Sequence, residues 1–353
     1  MLAISVVVMT KPKVYFSEKI SEHTIVSLFS SALADAGISV KGRRVALKTH
    51  FGEKGNSRFV SPRHIRPIAQ ALVGQSADAF LTDTNTLYRG MRTNSRDHLM
   101  IAAEHGFEEV GLPIIIADGE YGEDEVEVAV GAKHFEKVKI AKAIHDADMI
   151  IAISHFKGHC LFGFGGSLKN LGMGCSSRAG KLAMHSKIAP YIGDDCTGCG
   201  VCLDECDVLA ITMHKGKAEI GKACIGCARC IAVCPHGSVK IPWSGATSTE
   251  AQQRCAEYAA GAIKAKDAVY VTFINNITQD CDCLSDTPII AEDVGIMASA
   301  DPVAIDKAAY DRVMQANGGI DIFLKANKVD GTHIIHHAAD LGLGSVEYDL
   351  VKI

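Results

Sequence analysis

Two copies of one cysteine pattern lie between Cys196 and Cys234, and the second copy begins 28 positions after the first. Each copy reads Cys-x2-Cys-x2-Cys-x3-Cys, with ligands at Cys196, Cys199, Cys202 and Cys206 and again at Cys224, Cys227, Cys230 and Cys234. Three thiolates on a tight loop can bind three corners of an iron–sulfur cubane, while the fourth corner needs a thiolate from another segment. The spacing therefore predicts two [4Fe–4S] clusters.

In the bacterial two-cluster arrangement, the fourth cysteine of each copy binds the other cluster. The predicted ligand sets are therefore Cys196, Cys199, Cys202 and Cys234 for one cluster, and Cys224, Cys227, Cys230 and Cys206 for the other. Zinc is the alternative, because paired Cys-x2-Cys loops also form zinc sites. Such a site takes two cysteines from each loop, whereas each copy here supplies four. The first copy departs from the pattern in that Asp207, not proline, follows Cys206.

A second group of polar residues follows four predicted strands, which end before His50, Asp83, His155 and Asn275. In open α/β sheets, ligands bind outside the carboxyl ends of the strands. Histidines at such a place could ligate a metal or move protons, although a single histidine is more often a structural residue. We predict one pocket lined by His50, His155, His159, Lys169, His185, Cys281 and Cys283, in which the histidines and Lys169 are the candidate catalytic residues.

The segment 163–181 is rich in glycine and carries three basic side chains. It could form a backbone nest for an anionic ligand or cofactor, with contacts from Gly163, Gly165, Gly166, Lys169, Arg178 and Lys181. Its spacing matches neither a P-loop nor a dinucleotide fingerprint. The alternative is a run of tight turns that packs a helix against the sheet.

Cys281 and Cys283 are separated by one residue, so their thiols can point the same way. They could bind one soft metal ion or act as a redox pair. The alternative is two buried thiols that only pack.

Short apolar runs alternate with amphipathic stretches on both sides of the cysteine-rich segment, which is typical of an α/β domain with a mostly parallel sheet. We predict that residues 9–188 and 244–353 form this domain and that residues 189–243 interrupt it as an α+β module. Three consecutive domains are less favoured, because no Gly/Ser- or Pro-rich linker flanks the module. Strands are predicted at 13–16, 45–48, 79–81, 114–116, 149–154, 269–274 and 296–299, and helices at 23–36, 62–73, 251–264 and 302–314.

Composition excludes several classes of protein. A net charge of −5 with scattered basic residues argues against nucleic-acid binding. Five of the 13 cysteines lie outside the two copies and show no disulfide-scaffold spacing, which favours the cytoplasm. The apolar N-terminus lacks signal-peptide features and is too short to span a membrane. The expected partners are a redox protein or a small-molecule substrate, and the sequence indicates no oligomeric state.

The chain resembles the family called domain of unknown function 362, in its version with an inserted bacterial two-cluster ferredoxin module. The resemblance covers nearly the whole chain and implies no particular reaction. It rests on the strings Lys48-Thr-His-Phe-Gly-Glu53, Asp83-Thr-Asn-Thr-Leu-Tyr88, His155-Phe-Lys-Gly-His159, 163–174, Cys281-Asp-Cys283 and Asp301-Pro-Val-Ala-Ile-Asp306.

A weaker similarity links the order of His159, the glycine-rich loop, Lys169 and His185 to the nickel-pincer lactate racemase family. It implies a lactate-racemase-like fold, an acid/base histidine, a lysine that carries a tethered cofactor, and a later histidine that ligates nickel. The glycine pair stands one position earlier here than in that family.

Three functions are compatible with these residues. We favour an anaerobic oxidoreductase whose ferredoxin module passes electrons to or from a site in the α/β domain, because the module lies between the segments that carry the candidate site. A non-catalytic electron or cluster carrier would leave the strand-end residues without a role. A racemase-like enzyme with a nickel-pincer-type cofactor is the third. The expected cofactors are two [4Fe–4S] clusters, and an additional metal or organic cofactor stays open.

Overall fold

The computed structural model describes residues 11–186 and 189–353. The predicted domain start at residue 9, the apolar N-terminus and the predicted boundary at residue 188 lie outside these ranges. Within them, no helix combines the length and the apolar character that crossing a membrane requires.

The described residues form one eight-stranded sheet and four two-stranded sheets. The large sheet has the strand order β16-β1-β15-β14-β7-β2-β3-β4. In chain order the strands are β1 (Lys13–Ser17), β2 (Arg44–Lys48), β3 (Asp78–Asp83), β4 (Ile114–Ile116), β5 (Glu125–Ala129), β6 (Lys137–Ala141), β7 (Met149–His155), β8 (Lys157–His159), β9 (Gly163–Gly165), β10 (Tyr191–Ile192), β11 (Ile211–His214), β12 (Lys217–Ile220), β13 (Val239–Lys240), β14 (Asp267–Ile274), β15 (Gly295–Ser299) and β16 (Asp349–Lys352).

The large sheet is mostly parallel, which confirms the predicted α/β architecture with a mostly parallel sheet. Strands β14, β7, β2, β3 and β4 run in one direction, whereas β15 is antiparallel to both of its neighbours. All seven residues of β7 are buried, as expected for a parallel strand that is covered on both faces.

Helices cover the sheet on both sides. Because successive side chains of a strand point to opposite faces, Ile150 and Ala152 join one hydrophobic core and Ile151 and Ile153 join another. The helices are α1 (Glu22–Asp35), α2 (Pro62–Gly74), α3 (Ser95–Glu104), α4 (Lys142–His145), α5 (Ser167–Gly172), α6 (Arg178–His185), α7 (Val201–Asp204), α8 (Arg229–Val233), α9 (Ser248–Ile263), α10 (Pro302–Ala316), α11 (Ile322–Asn327) and α12 (Thr332–Asp340), with short 3₁₀ helices at Phe107–Val110 and Trp243–Gly245.

The cysteine-rich segment 189–243, called the cysteine module below, contains helices α7 and α8 and four short strands. Strand β10 pairs with β13, and β11 pairs with β12, both antiparallel. Its small apolar core includes two residues of the α/β part of the chain, Leu87 and Leu182. The module therefore packs directly against the rest of the protein.

Candidate functional site

Strands β2, β3, β7 and β14 run in parallel and end at one cavity of about 670 Å³. This is the edge at which open α/β sheets bind ligands. The seven residues that the sequence predicted for a single pocket all line the cavity: His50, His155, His159, Lys169, His185, Cys281 and Cys283. The structure thus brings these side chains together, while their chemical roles stay predictions.

Lys169 presents an ammonium group to the cavity. Its Nζ lies 5.5 Å from the ring centroid of Phe162, which is a cation–π contact, and it donates no hydrogen bond to any described residue. Burial lowers the pKa of Lys169, but the nearby thiols of Cys281 and Cys283 outweigh it and leave the pKa raised. The cavity therefore holds a cation that an anionic ligand could neutralise.

His159 is a hydrogen-bond donor to the cavity. Its Nδ1 accepts the backbone N–H groups of Leu161 and Phe162, at 3.1 and 3.2 Å. Burial and the charge of Lys169 hold the pKa of His159 well below its usual range, so the ring is neutral. A neutral histidine whose Nδ1 accepts carries its proton on Nε2.

His185 lies at the end of α6, with its ring centroid 4.9 Å from that of Trp243. Burial lowers the pKa of His185 to about 4, so this ring is also neutral. Its Nδ1 is buried and has no hydrogen-bond partner among the described residues. Because buried polar atoms are usually paired, this nitrogen is a candidate contact for a ligand.

His155 lines the cavity and has partners within the fold. Its Nδ1 lies 2.9 Å from Asp282 Oδ1, and its Nε2 lies 2.8 Å from the carbonyl oxygen of Asn275. Lys157 also approaches Asp282, at 3.4 Å. Both ring nitrogens therefore have a partner, and the contact with Asp282 positions that carboxylate. The catalytic role of His155 stays a prediction.

Cys281 and Cys283 stand on either side of Asp282 and hydrogen-bond each other. The sulfur of Cys283 also lies 3.5 Å from His50 Nε2. His50 Nδ1 accepts the N–H of Gly52 at 2.9 Å, so the proton of the neutral ring is on Nε2 and points at this sulfur. The hydrogen bond from Cys281 lowers the pKa of Cys283 against the effect of burial, and the same bond raises the pKa of Cys281.

A buried charge network at the cavity wall was not predicted from the sequence. Lys48 Nζ lies 2.9 Å from Asp83 Oδ1, and Arg92 Nη1 lies 3.2 Å from Asp83 Oδ2. Arg92 also donates to the hydroxyl of Tyr88, which lines the cavity. Asp83 and Tyr88 are the first and last residues of one of the sequence strings on which the family resemblance rests. That string was the feature of the sequence from which this network could have been predicted.

Three of the residues predicted to bind a cofactor lie behind the cavity wall. Gly166 and Lys181 line the cavity, whereas Gly163, Gly165 and Arg178 do not. Gly163 has a φ of +72°, and a Cβ there would lie 2.7 Å from the Cα of Gly331. The structure therefore places these three residues in the loop that supports the cavity wall, and their predicted contact with a cofactor stays a prediction.

Arg178 is fully buried and faces the cysteine module. Its Nε donates to the carbonyl oxygen of Tyr121 at 2.6 Å, and its Nη2 donates to that of Thr93. Burial lowers the pKa of Arg178 to about 10, against the opposing effect of carboxylates and of Cys230 and Cys227. The guanidinium therefore ties the loop to the segments that carry Tyr121 and Thr93.

The chain's own carboxylate fills the predicted anion nest. At the start of α5, the N–H groups of Ser167 and Leu168 donate to the two oxygens of Asp306, at 2.7 and 2.9 Å. A Cβ on Gly166 would lie 2.5 Å from the same carboxylate. The nest predicted for an external anion is therefore occupied, and α5 offers the ligand the side chain of Lys169 instead.

Four cysteines of the module line a second, small cavity. They are the set predicted to share one cluster: Cys196, Cys199, Cys202 and Cys234. Across residues 11–186 and 189–353, no three His, Cys, Asp or Glu side chains converge on a point where a single metal ion would sit.

The backbone of the module repeats together with its sequence. Gly198 and Gly226, which are 28 positions apart, have φ values of +69° and +71°. Gly200 and Ala228, also 28 positions apart, have φ values of +85° and +61°. A left-handed conformation is unusual for alanine, so the second loop keeps the shape of the first at some conformational cost.

Both fourth cysteines accept a backbone hydrogen bond on sulfur. The N–H of Ala210 donates to Cys206 Sγ and the N–H of Ser238 donates to Cys234 Sγ, each at 3.2 Å. Burial raises the pKa of Cys234, but the backbone N–H groups around it outweigh burial and leave the pKa lowered. The loop therefore favours a thiolate at this position.

One helix separates the cavity from the module. On α6, Lys181 and His185 line the cavity, while Leu182 packs in the core of the module. Trp243, at the end of the module, also lines the cavity. The two candidate sites therefore share a wall.

The chain matches the family Domain of unknown function (DUF362) over residues 45–311, more than half of its length, and it belongs to that family. No curated protein matches it. The lactate racemase apoprotein from Thermoanaerobacterium thermosaccharolyticum is similar to it at 14% identity and a TM-score of 0.42, over 84% of this chain and 55% of that one. A protein from Thermotoga maritima is similar at 11% identity and a TM-score of 0.40, over 92% and 60%. This chain thus spans less than two thirds of either structure.

Proposed function

We propose that this member of the DUF362 family is an iron–sulfur oxidoreductase. Two [4Fe–4S] clusters in the cysteine module exchange electrons with a small molecule bound in the cavity. The observation that carries the proposal is the position of α6, whose Leu182 packs in the module while Lys181 and His185 line the cavity. A carrier without a catalytic site has no need for this shared wall.

The geometry of the cysteines fits the proposed clusters. Each thiolate of a cubane binds a different iron atom, so the ligands surround the cluster and do not meet at one point. Cys196, Cys199, Cys202 and Cys234 surround the small cavity in this way. Hydrogen bonds to cluster sulfurs are among the features that tune reduction potential, and N–H groups of the kind that reach Cys206 and Cys234 are suited to this role.

The cavity fits a small organic anion. Its walls are largely apolar, and the polar groups that project into it include the Lys169 ammonium and the Nε2–H of His159. Ligand sites commonly combine an apolar surface with a few fixed polar groups. Lys169 would bind the anionic group, and His159 would donate a hydrogen bond or a proton to the ligand.

Metal analysis of anaerobically purified protein tests the clusters. We expect about eight iron atoms and as much labile sulfide per chain, as two [4Fe–4S] clusters require. Cys199→Ala should lose about half of the iron, while Cys160→Ala, a change outside the module, should retain it. Full iron occupancy in Cys199→Ala would contradict the assignment.

Redox titration tests the link between clusters and cavity. Burial lowers the pKa of Lys181 to about 8, so this side chain is mostly charged at pH 7. Net charge near a cluster sets its potential, so Lys181→Met should shift a cluster to a more negative potential. Identical cluster potentials in the wild type and the variant would show that the cavity does not influence the clusters, and would favour a simple electron carrier.

A racemase-like enzyme is the second candidate, and one observation favours it. His159, Lys169 and His185, to which the resemblance assigns acid/base catalysis, cofactor tethering and nickel ligation, line the same cavity. Lys169 makes no hydrogen bond to a described residue and His185 Nδ1 is unpaired, so both are chemically suited to a tethered group. Stoichiometric nickel with a mass increase on the Lys169 peptide would favour this candidate over the first.

A further inference from the structure

We propose that Cys281 and Cys283 form a redox-active dithiol that cycles between two thiols and an intramolecular disulfide. Its substrate class is a small disulfide that carries an anionic group. The inference deepens the proposed function and rests on it for the source of electrons. It concerns the wall of the cavity formed by the turn Cys281–Leu284.

The backbone already holds the two cysteines at a separation that a disulfide can span. The N–H of Leu284 donates to the carbonyl oxygen of Cys281 at 3.1 Å, which closes a four-residue turn. In such turns the first and fourth Cα atoms lie within about 7 Å. Consecutive Cα atoms are about 3.8 Å apart, so the first and third Cα atoms of a folded turn fall within the range of roughly 4.4–6.8 Å that disulfides bridge. Both cysteines line the same cavity, so the turn presents them to the same space.

The residue between the two cysteines holds the turn in place through buried contacts. Asp282 is 1% exposed and pairs with His155 at 2.9 Å and with Lys157 at 3.4 Å. Its carbonyl oxygen accepts the N–H of Glu53 at 3.0 Å. With the apex of the turn held by buried charge and by backbone, the flanking sulfurs stay at the cavity wall.

The surroundings of the two sulfurs distinguish their roles. The Nε2–H of His50 lies 3.5 Å from the Cys283 sulfur, and Tyr88 and Cys281, whose O–H and S–H groups can donate, line the same cavity. A sulfur surrounded by donors is stabilised as the thiolate, which is the nucleophilic form. Cys283 is therefore the attacking residue, and Cys281 is the one that resolves the mixed disulfide.

The proposed reaction balances in atoms and electrons. The Cys283 thiolate attacks one sulfur of the substrate, whose S–S bond breaks, and the first product leaves as a thiolate that takes up a proton. Cys281 then loses its proton and attacks the Cys283 sulfur, which releases the second product as a thiol and leaves the Cys281–Cys283 disulfide. Two electrons and two protons then restore the thiols. The clusters, when bound in the cysteine module, would supply one electron each, and a reduced one-electron redox protein would reduce them in turn.

Lys169 is the reason that the substrate is expected to carry an anionic group. Its ammonium faces both thiols and makes no hydrogen bond to a described residue. An anionic group on the substrate would pair with it while the disulfide lies against Cys283. Neutral disulfides would lack this contact.

The experiment uses the full chain, purified anaerobically with its clusters and incubated with glutathione disulfide. After alkylation of free thiols, mass spectrometry of the peptide that contains Cys281 and Cys283 should show loss of two hydrogens, reversed by dithiothreitol. Cys281→Ser should trap glutathione on Cys283, and Cys283→Ser should trap far less. Cys160→Ser, which removes another thiol of the cavity, is the matched control and should behave as the wild type.

The substrate class is tested with two probes. Lys169→Met should slow the reaction with glutathione disulfide by about tenfold or more, the effect of losing one charge-assisted contact. It should leave the reaction with hydroxyethyl disulfide, which is neutral, nearly unchanged. Equal slowing with both probes would refute the anionic substrate.

Two results would overturn the proposal that Cys281 and Cys283 form a redox-active dithiol. One is the absence of the disulfide in wild-type protein at every ratio of oxidant to reductant. The other is a metal ion that copurifies with the protein and is lost in both serine variants. Iron and cluster absorbance are measured on the same samples, so a failure of the dithiol proposal can be distinguished from a failure of the proposed function. Clusters without a disulfide leave the proposed function standing, and a disulfide without clusters removes the proposed function alone.

Discussion

Replacing Asp282 by asparagine tests whether buried charge holds the turn that carries Cys281 and Cys283. Asp282 Oδ1 lies 2.9 Å from His155 Nδ1, and Oδ2 lies 3.4 Å from Lys157 Nζ. Removing one partner from a buried ion pair costs about 3–5 kcal/mol, because the remaining charge loses its compensation. Asparagine keeps one oxygen for His155, so we expect a loss at the lower end, about 3 kcal/mol.

Thermal unfolding followed by circular dichroism measures this loss. An unfolding entropy of about 2.1 cal/mol/K per residue gives roughly 0.7 kcal/mol/K for a chain of this length that unfolds as one unit, so Tm should fall by about 4 °C. The matched control is Asp280→Asn, on the same loop, whose carboxylate forms no salt bridge within the described part of the chain. Its Tm should change by less than about 1 °C. Equal changes in the two variants would show that the ion pairs do not hold the turn.

Two further predictions concern the helix that carries Lys169. In Gly172→Ala the new Cβ would lie 2.2 Å from the carbonyl oxygen of Cys255, so α5 must move away from α9 and Tm should fall by several degrees. The control is Gly74→Ala, whose new Cβ meets nothing within 4 Å and should not lower Tm. Burial raises the pKa of Asp306 to about 7. A carboxyl whose pKa is raised on folding makes stability fall as pH rises from about 4 to about 7. Tm of the wild type should therefore decline between pH 5.5 and 7.5, and Asp306→Asn should lack the part of this decline that Asp306 causes. Parallel pH profiles of Tm in the two proteins would contradict the prediction.

The elements that position the site could be predicted because their burial leaves a clear pattern. The strand predicted at 149–154 is found at Met149–His155, since a continuous apolar run of this length fits a strand covered on both faces. The helix predicted after Asp301 begins at Pro302, and the Asp301 carboxylate accepts the N–H groups of Val303 and Ala304. Both predictions are confirmed.

The hairpin formed by β5 and β6 was not predicted. Charged and apolar side chains alternate along both strands, as Glu-Val-Glu-Val-Ala in β5 and Lys-Val-Lys-Ile-Ala in β6. This alternation is the pattern of a half-buried strand, so the sequence carried a signal that the prediction did not use. The surface that covers the hairpin is not local. Its partner, α9, follows more than a hundred positions later.

The chemical roles were less predictable than the positions. The carboxyl ends of parallel strands predicted that His50, His155 and His159 would gather, and all three line the cavity. Which nitrogen of each ring is free depends on contacts such as that of His155 with Asp282, which is 127 positions away. No local pattern encodes such a partner, so the sequence could not indicate that both nitrogens of His155 have partners within the fold.

The glycine-rich segment shows how the same residues can indicate the position of a site and leave its ligand contacts open. A glycine before a helix suggests a backbone nest for an external anion, but the nest at Gly166 holds the carboxylate of Asp306. The N-terminus of α5 is therefore satisfied within the fold, and the ligand meets Lys169 in the following turn. A ligand bound through side chains can be changed by substitutions that leave the loop intact. For this reason variants at Lys169 should separate ligand preference from folding more cleanly than variants at the glycines.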